Sequence, residues 1–364
     1  MGTGARTPID TLLEQGRVAE RTGDWRAAER VYRAARAQAQ RAGDQQTTAE
    51  VEQNLGVIAS IRGDIPSALM SYTAALFRYR LLNDRGAATR ALARMGIAHV
   101  DLDEPDAADA CFEQARQLAR HTGDVLLQAD LEHELARTYL DRDDSRSAIV
   151  HLNRAHALCL EIEPRTDTVN ALLARIDAVY LCAVEQWAGE VLRASDPYTL
   201  GHCTRVAACT ERLARAVGIA GRELHWLRIG AFLHDIGKSV IPRAVLEKPA
   251  ALDDEERRLV RQHTVRGAEI VMELALPFDV IPMVRYHHER WDGRGYPAAL
   301  AGSDIPFHAR ILAVADVYDA LTTARTYSAP CDAACACGVL DHEAGRALDP
   351  VLVATFQRAV ARAH

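Results

Sequence analysis

The stretch NLGVIASIRGDIPSALMSYTAALF, residues 54–77, contains a pattern that occurs four times in the first half of the chain, at intervals of 40 residues. Its columns hold glycine or alanine, then alanine, then a large apolar residue, then alanine again. In chain order the columns are Gly16, Gly56, Gly96 and Ala136; Ala28, Ala68, Ala108 and Ala148; Tyr32, Tyr72, Phe112 and Leu152; and Ala35, Ala75, Ala115 and Ala155. Small residues let two antiparallel helices approach closely, and the large residue fills the groove between them. The pattern therefore predicts four helical hairpins over residues 1–163, stacked as an all-α solenoid.

A polar pair separates the two halves of each unit, at Gly23-Asp24, Gly63-Asp64, Asp103-Glu104 and Asp143-Asp144. Glycine and aspartate in such pairs end one helix and cap the next. The unit resembles the tetratricopeptide repeat, but its period of 40 exceeds the usual period of about 34. The longer period implies either longer helices or longer links. The resemblance also implies a surface that binds a peptide or a partner protein, through residues that lie between the packing columns.

A further segment, residues 164–195, joins the repeats to the second half of the chain. Between Thr168 and Arg193 it places apolar residues at helical spacing, namely Val169, Leu172, Leu173, Ile176, Val179, Tyr180, Val184, Trp187 and Val191. The pattern predicts a connecting helix. This helix either packs within the core or docks on a domain or on a second subunit, and the last alternative would make the protein a homodimer.

The composition limits the class of protein. A length of 364 residues favours two domains over a single core. The net charge of -7 argues against binding of a nucleic acid polymer or an anionic membrane, although it allows a small phosphodiester ligand. No apolar run approaches the roughly 18–20 residues that span a bilayer, and the N-terminus lacks the apolar core of a secretion signal. We therefore expect a cytoplasmic protein.

The cysteines predict neither a disulfide scaffold nor a structural zinc site. Eight cysteines in 364 residues are too sparse for such a scaffold. Cys331, Cys335 and Cys337 cluster, but they lack the paired C-x-x-C spacing of a structural zinc site. We expect ordinary thiols at these positions.

The second half of the chain contains residues of the kind that hold metal ions, and these are His202, His234, Asp235, His263, His287, His288 and Asp316. Imidazole and carboxylate ligands suit iron, manganese or zinc. His234 and Asp235 close an apolar helix, and a continued helical turn would keep Lys238 on their side. Asp316 lies in an otherwise apolar segment, where a buried carboxylate needs a partner such as a metal.

Three motifs join these residues: His234-Asp235 with Lys238, His287-His288-Glu289, and Gly295-Tyr296-Pro297. Together they resemble the defining motifs of the HD-GYP family of cyclic di-GMP phosphodiesterases, over residues 196 to about 356. The resemblance implies a helical metallohydrolase domain over residues 196–364 with two divalent metal ions, iron or manganese, or alternatively zinc.

The resemblance also implies a role for each site residue. One metal would bind His202, His234, Asp235 and Asp316, and Asp235 would bridge to a second metal bound by His263, His287 and His288. Asp235 and Lys238 would be catalytic, with Lys238 donating to the attacking hydroxide or to the phosphate. The substrate would contact Gly295, Tyr296, Pro297 and Arg325.

Two positions depart from the family pattern. Tyr198 stands where some members have a glutamate for a third metal, so we expect a binuclear site. Ser328 stands where the family has a basic residue three positions after Arg325, which implies a weaker hold on the substrate phosphates or an altered choice of substrate.

These observations favour hydrolysis of cyclic di-GMP to linear pGpG, with GMP as the alternative end product, and with the repeats regulating or localising the enzyme. One alternative is a non-catalytic signalling adaptor that binds a cyclic dinucleotide or a protein partner. Another is a hydrolase of a different nucleotide, such as a hybrid cyclic GMP-AMP or a mononucleotide.

Overall fold

The computed structural model describes residues 7–195, 197–323 and 330–361, without the side chains of residues 194, 195, 197, 198, 360 and 361. Within these ranges the chain forms helices and no β-strand, apart from one isolated bridge between Ala344 and Leu348. The predicted fold class, all-α with helical repeats before a helical second half, is confirmed.

Eight helices form the repeats, at α1 Pro8–Arg21, α2 Trp25–Ala42, α3 Gln45–Ile61, α4 Ile65–Leu81, α5 Arg85–Asp101, α6 Pro105–Thr122, α7 Val125–Asp141 and α8 Ser145–Leu160. From α2 onward each has 16–18 residues. Two or three residues link each helix to the next, as in the step from Arg21 to Trp25. Of the two explanations for the 40-residue period, the structure supports longer helices.

The chain reverses direction every 20 residues by one repeated device. A residue with positive φ ends each of the first seven helices, at Gly23, Gly43, Gly63, Asn83, Asp103, Gly123 and Asp143. In six of these links an aspartate follows whose side chain accepts a hydrogen bond from the first turn of the next helix. The predicted turns lie within each unit, and the structure has the same kind of turn between units as well.

The glycine and aromatic columns meet inside each of the first three hairpins. A Cβ atom on Gly56 would lie 2.5 Å from Cε1 of Tyr72, and one on Gly16 or Gly96 would likewise overlap the ring of its partner. The aromatic ring therefore occupies the space of the missing side chain. The fourth unit has Ala136 and Leu152 in these columns, and both are fully buried.

The described residues divide into two compact units. The first contains the residues up to Arg142 together with Arg154–Leu172, and the second contains Asp143–Asn153 and the residues from Leu173 onward. The later helices are α9 Asp167–Ser195, α10 Pro197–Ala216, α11 Gly221–Leu233, α12 Arg243–Leu246, α13 Asp254–Arg261, α14 His263–Glu273, α15 Ile281–Tyr286, α16 Phe307–Thr322, α17 Ala333–Glu343 and α18 Pro350–Ala361.

The predicted connecting helix is α9, and most of it belongs to the second unit. Its buried Asp177 forms a bidentate ion pair with Arg222, with distances of 2.6 and 2.9 Å. Its Tyr180 hydroxyl donates to Oδ1 of Asn153 at 2.6 Å. From Leu173 onward α9 therefore packs within this unit. No helix in the described ranges combines the length and the apolar character needed to cross a membrane.

Candidate metal centre

Five helices bring the seven predicted ligands of the second unit together. His202 lies on α10, His234 and Asp235 follow α11, His263 begins α14, His287 and His288 follow α15, and Asp316 lies on α16. They form two triads, each with its ligand atoms within 4.8 Å of one another. The first triad is His202, His234 and Asp316, and the second is His263, His287 and His288.

Asp235 lies between the triads and presents a different oxygen to each. Its Oδ2 is 3.3 Å from Nε2 of His234 and 3.8 Å from Nε2 of His202. Its Oδ1 is 3.3 Å from Nε2 of His263 and 4.0 Å from Nε2 of His287. This geometry is what a carboxylate shared by two ions requires.

Backbone carbonyls fix the orientation of three of the rings. In each case Nδ1 donates to the carbonyl three residues earlier, at 2.7 Å for His234 and His263 and at 2.8 Å for His287. A proton on Nδ1 leaves the Nε2 lone pair directed at the centre, which is the usual arrangement for a metal-binding histidine.

His202 is oriented by a carboxylate that the sequence analysis did not select. Its Nδ1 lies 2.7 Å from Oδ2 of buried Asp319, and Arg205 binds both oxygens of that carboxylate at 2.7 and 3.1 Å. Its Nε2 lies 3.0 Å from Oδ1 of Asp316. Asp319 follows Asp316 by one helical turn, so the argument that a carboxylate in an apolar segment needs a partner applies to both residues.

Two buried atoms at the centre test whether the residues fit a metal ion. Within the described part of the chain, Nε2 of His234 and Oδ1 of Asp235 are buried and have no hydrogen-bond partner. Leaving such acceptors unpaired costs roughly 1–3 kcal/mol each. A cation bound by the first triad would contact Nε2 of His234, and a cation bound by the second triad would contact Oδ1 of Asp235. The mixed nitrogen and oxygen donors suit a divalent transition metal. The residues therefore fit the divalent metal ions that the motifs imply.

The charges differ between the two triads. Burial lowers the pKa of His288 to about 4, and burial together with neighbouring His288 lowers that of His287, so both rings stay neutral. Burial also opposes protonation of His234, but the Asp235 carboxylate outweighs it and raises the pKa of that ring. Despite burial, the positive charges of Lys238 and His234 hold the pKa of Asp235 well below its usual range.

Lys238 approaches the centre on the short helical segment that follows α11. The predicted helical turn is present as a 3-10 helix at Ile236–Val240, after α11 ends at Leu233. A Cβ atom on Gly237 would overlap the carbonyl oxygen of His263, so at this point the chain passes directly against the start of α14. Lys238 Nζ reaches Oδ2 of Asp235 at 2.6 Å, so the two residues lie on one side as the sequence predicts.

The Gly295-Tyr296-Pro297 loop lies beside the second triad. The Tyr296 ring stacks on His288, with the two ring centroids 5.0 Å apart. The Arg261 guanidinium lies 5.0 Å from the centroid of the same Tyr296 ring. Buried Glu289 holds the loop, because its carboxylate accepts from the backbone N–H groups of Ala298 at 2.6 Å and Leu300 at 3.0 Å.

Gly295 is needed where this loop passes its own beginning, since a Cβ atom there would lie 2.5 Å from Cα of Glu289. Pro297 is exposed at the outer side of the loop. The sequence motif contains Glu289 without indicating its role, and no sequence pattern points to Arg261, because both roles depend on contacts with the folded loop. Arg325 and Ser328 lie outside the described residues, as does the side chain of Tyr198.

Both halves of the chain are similar to known protein families. The HD domain family matches residues 188–352, and the tetratricopeptide repeat family matches residues 8–80. A 3'3'-cGAMP-specific phosphodiesterase of Vibrio cholerae is 37% identical over 186 residues, covering 51% of this chain and 40% of that protein. A second one is 42% identical over 134 residues, covering 36% of this chain and 26% of that protein.

A cyclic di-GMP phosphodiesterase of Pseudomonas aeruginosa is 31% identical over 265 residues, covering 71% of this chain and 62% of that protein. The chain thus spans less than two thirds of each of these three relatives. Its first half begins with tetratricopeptide repeats, and its second half is an HD domain that carries the HD-GYP motifs.

Proposed function

We propose that this protein is a metal-dependent phosphodiesterase that hydrolyses a cyclic dinucleotide. The observation that carries the proposal is the position of Asp235, whose two carboxylate oxygens face the two triads while Lys238 binds one of them at 2.6 Å. Two cation sites joined by one carboxylate suit the cleavage of a phosphodiester, where negative charge develops on the attacked phosphate.

The chain's own residues prepare this chemistry. Divalent ions, when bound, lower the pKa of water and neutralise phosphate charge. Asp235 and the oriented histidines hold the two cation sites at a fixed spacing. Lys238 presents an ammonium group at the edge of the centre, where it can donate hydrogen bonds to the attacking oxygen or to the phosphate. Asp235 and Lys238 are thus the proposed catalytic residues.

The substrate class rests on the loop and on the relatives. The relatives carry names that specify cyclic di-GMP or 3'3'-cGAMP, which are both cyclic dinucleotides. We take cyclic di-GMP as the substrate, with pGpG and then GMP as products, and a hybrid cyclic dinucleotide as the alternative. Gly295, Tyr296 and Pro297 would line the substrate site, since Tyr296 contacts the second triad.

A cyclic dinucleotide has a second phosphate, which the metal ions do not reach when the first is cut. Arg261 is exposed, lies over the Tyr296 ring and forms no ion pair in the described part of the chain. We propose that Arg261, together with Arg325, provides the positive charge for this phosphate. Such a contribution from Arg261 would compensate for Ser328.

The test is to remove the metals, reload the protein anaerobically with iron, manganese or zinc, and separate the products formed from cyclic di-GMP and from 3'3'-cGAMP. We expect linear dinucleotide with at least one metal and none with the Asp235→Asn variant. Tight binding of a cyclic dinucleotide without any product, under every metal tested, would instead support the non-catalytic adaptor. Neither binding nor hydrolysis would overturn the proposal.

A further inference from the structure

One cysteine of the second unit lies beside the metal centre. Cys203 follows His202 directly on α10 and is fully buried. Its Sγ atom lies within 4.8 Å of a ligand atom of His234 and of one of Asp235. Among the cysteines that the structure describes, Cys203 alone belongs to a cluster with metal-ligand spacing. The seven ligands selected from the sequence are all histidines and aspartates, so this thiol is an addition to that set.

The position of α10 explains how two successive residues reach the same centre. This helix packs against both α11 and α16. Successive residues of an α-helix are turned by about 100° around its axis. His202 faces Asp316 of α16, with Nε2 and Oδ1 3.0 Å apart. Cys203 faces instead the two residues that follow α11, His234 and Asp235.

The surroundings of Cys203 are polar, unlike those of a thiol that only fills a core. Its neighbours His234 and Asp235 are themselves buried. Within the described ranges, Nε2 of His234 and Oδ1 of Asp235 have no hydrogen-bond partner. Nδ1 of His234 already donates to the Ala231 carbonyl, so Nε2 is the ring atom left to bind an ion. Two buried polar atoms next to the sulfur therefore point to a cation independently of the sulfur itself.

We propose that Cys203 is a further ligand of the ion bound by the first triad, which it binds through Sγ beside His234 and Asp235. The ion takes the place of the thiol proton, so the bound sulfur is a thiolate. This ion would have sulfur, nitrogen and oxygen donors, whereas the second ion would have three imidazoles and one carboxylate oxygen. The inference rests on the proposed function, because it assigns a ligand to the same metal centre.

A sulfur donor changes which ion the first triad prefers. Thiolate ligands select zinc, whereas carboxylate and water suit manganese. Cys203 would therefore favour zinc over manganese in the first triad. In the described part of the chain no cysteine has ligand spacing to the second triad, where imidazole and carboxylate set the preference. We expect the two positions to differ in their choice of metal.

The test follows the sulfur directly in metal-loaded protein. Metal-free full-length wild type is loaded anaerobically with cobalt(II), and sulfur-to-cobalt charge-transfer absorption is recorded in the near ultraviolet. We expect this absorption in the wild type and in Cys209→Ser, and its loss in Cys203→Ser. Cys209 is the matched control, because it lies on α10 and outside every cluster with ligand spacing among the described residues. The visible absorption of bound cobalt should remain in all three proteins.

X-ray absorption of the zinc-loaded wild type is a second measurement that needs no variant. We expect a sulfur neighbour at about 2.3 Å from zinc. A wild-type spectrum with nitrogen and oxygen neighbours alone would overturn the inference, even if Cys203→Ser failed to fold. Retention of the cobalt charge-transfer absorption by Cys203→Ser would assign the sulfur to another cysteine and would overturn it as well.

Competition between zinc and manganese tests the choice of metal. Loss of an outer partner of a ligand weakens metal affinity about 10- to 100-fold, and loss of a direct donor should cost at least as much. We therefore expect the ratio of zinc affinity to manganese affinity to fall at least about tenfold in Cys203→Ser. An unchanged ratio would overturn the role of Cys203 in metal choice.

Assays with cyclic di-GMP separate this inference from the proposed function. Product formed by a wild type without any sulfur signal would refute the role of Cys203 and leave the proposed function standing. A sulfur signal without product, under every metal tested, would refute the proposed function and leave Cys203 as a ligand.

Discussion

Replacing Asp319 with asparagine should weaken metal binding although Asp319 is not itself a predicted ligand. Asp319 Oδ2 lies 2.7 Å from Nδ1 of His202, and the same carboxylate binds Arg205 through two hydrogen bonds. Asparagine has a similar shape but offers one oxygen and an NH2 group. Because His202 Nδ1–H and Arg205 both donate, one of them would face another donor.

The magnitude follows from the role of the carboxylate as the outer partner of a metal-binding histidine. Loss of such a partner typically weakens metal affinity about 10- to 100-fold, which is about 1.4–2.7 kcal/mol. We expect Asp319→Asn to fall in this range for the ion bound by the first triad. Among the described residues Asp319 forms hydrogen bonds with His202, Arg205 and Thr323 and with none of the rings of the second triad, so the metal affinity of that triad should change less.

The assay is a titration of metal-free protein with manganese or zinc in competition with a chromophoric chelator. Asp349→Asn is the matched control, because Asp349 is also a buried carboxylate bound to an arginine, Arg310, at 2.7 Å. Both variants should lower the free energy of unfolding by about 1–3 kcal/mol. Only Asp319→Asn should lose metal affinity, and equal affinities of Asp319→Asn and wild type would refute the reasoning.

Three further predictions concern the ligand shared by the two triads, the loop beside the second triad, and the packing of the repeats. Asp235→Ala should abolish turnover and lower the metal content, since one carboxylate serves both triads, whereas Lys238→Ala should reduce turnover with the metals retained. Elemental analysis and steady-state kinetics of both variants check this, and equal metal loss in the two variants would contradict it. Arg261→Ala should raise the KM for cyclic di-GMP several-fold, equivalent to roughly 1 kcal/mol, and leave kcat and the hydrolysis of bis(p-nitrophenyl) phosphate unchanged. Arg258→Ala, on the same helix, is the control and should leave this KM unchanged. Gly56→Ala should lower the free energy of unfolding, measured by chemical denaturation, by about 1–2 kcal/mol, because the clash with Tyr72 outweighs the gain in helix propensity. In the control Gly86→Ala the added Cβ has its nearest neighbour 3.7 Å away, so the free energy of unfolding should stay unchanged or rise.

The sequence by itself determined the repeats, because helix packing requires small and large residues at fixed spacing. The columns that begin at Gly16 and Tyr32 predict the hairpins, and the polar pairs predict the turns within them. It also singled out the seven ligands through their local motifs. These features are readable because each depends on residues that are close along the chain.

The tertiary structure decided what depends on residues far apart in the chain. Asp319 meets His202 across 117 positions, and the 3-10 helix that carries Lys238 passes at Gly237 directly against the start of α14. Arg261 meets Tyr296 only when the loop has folded. Likewise, Arg116 of α6 meets Glu132 of the following helix at 2.9 Å. Long-range pairing of charges is set by the way helices pack, and no local pattern in the sequence encodes it.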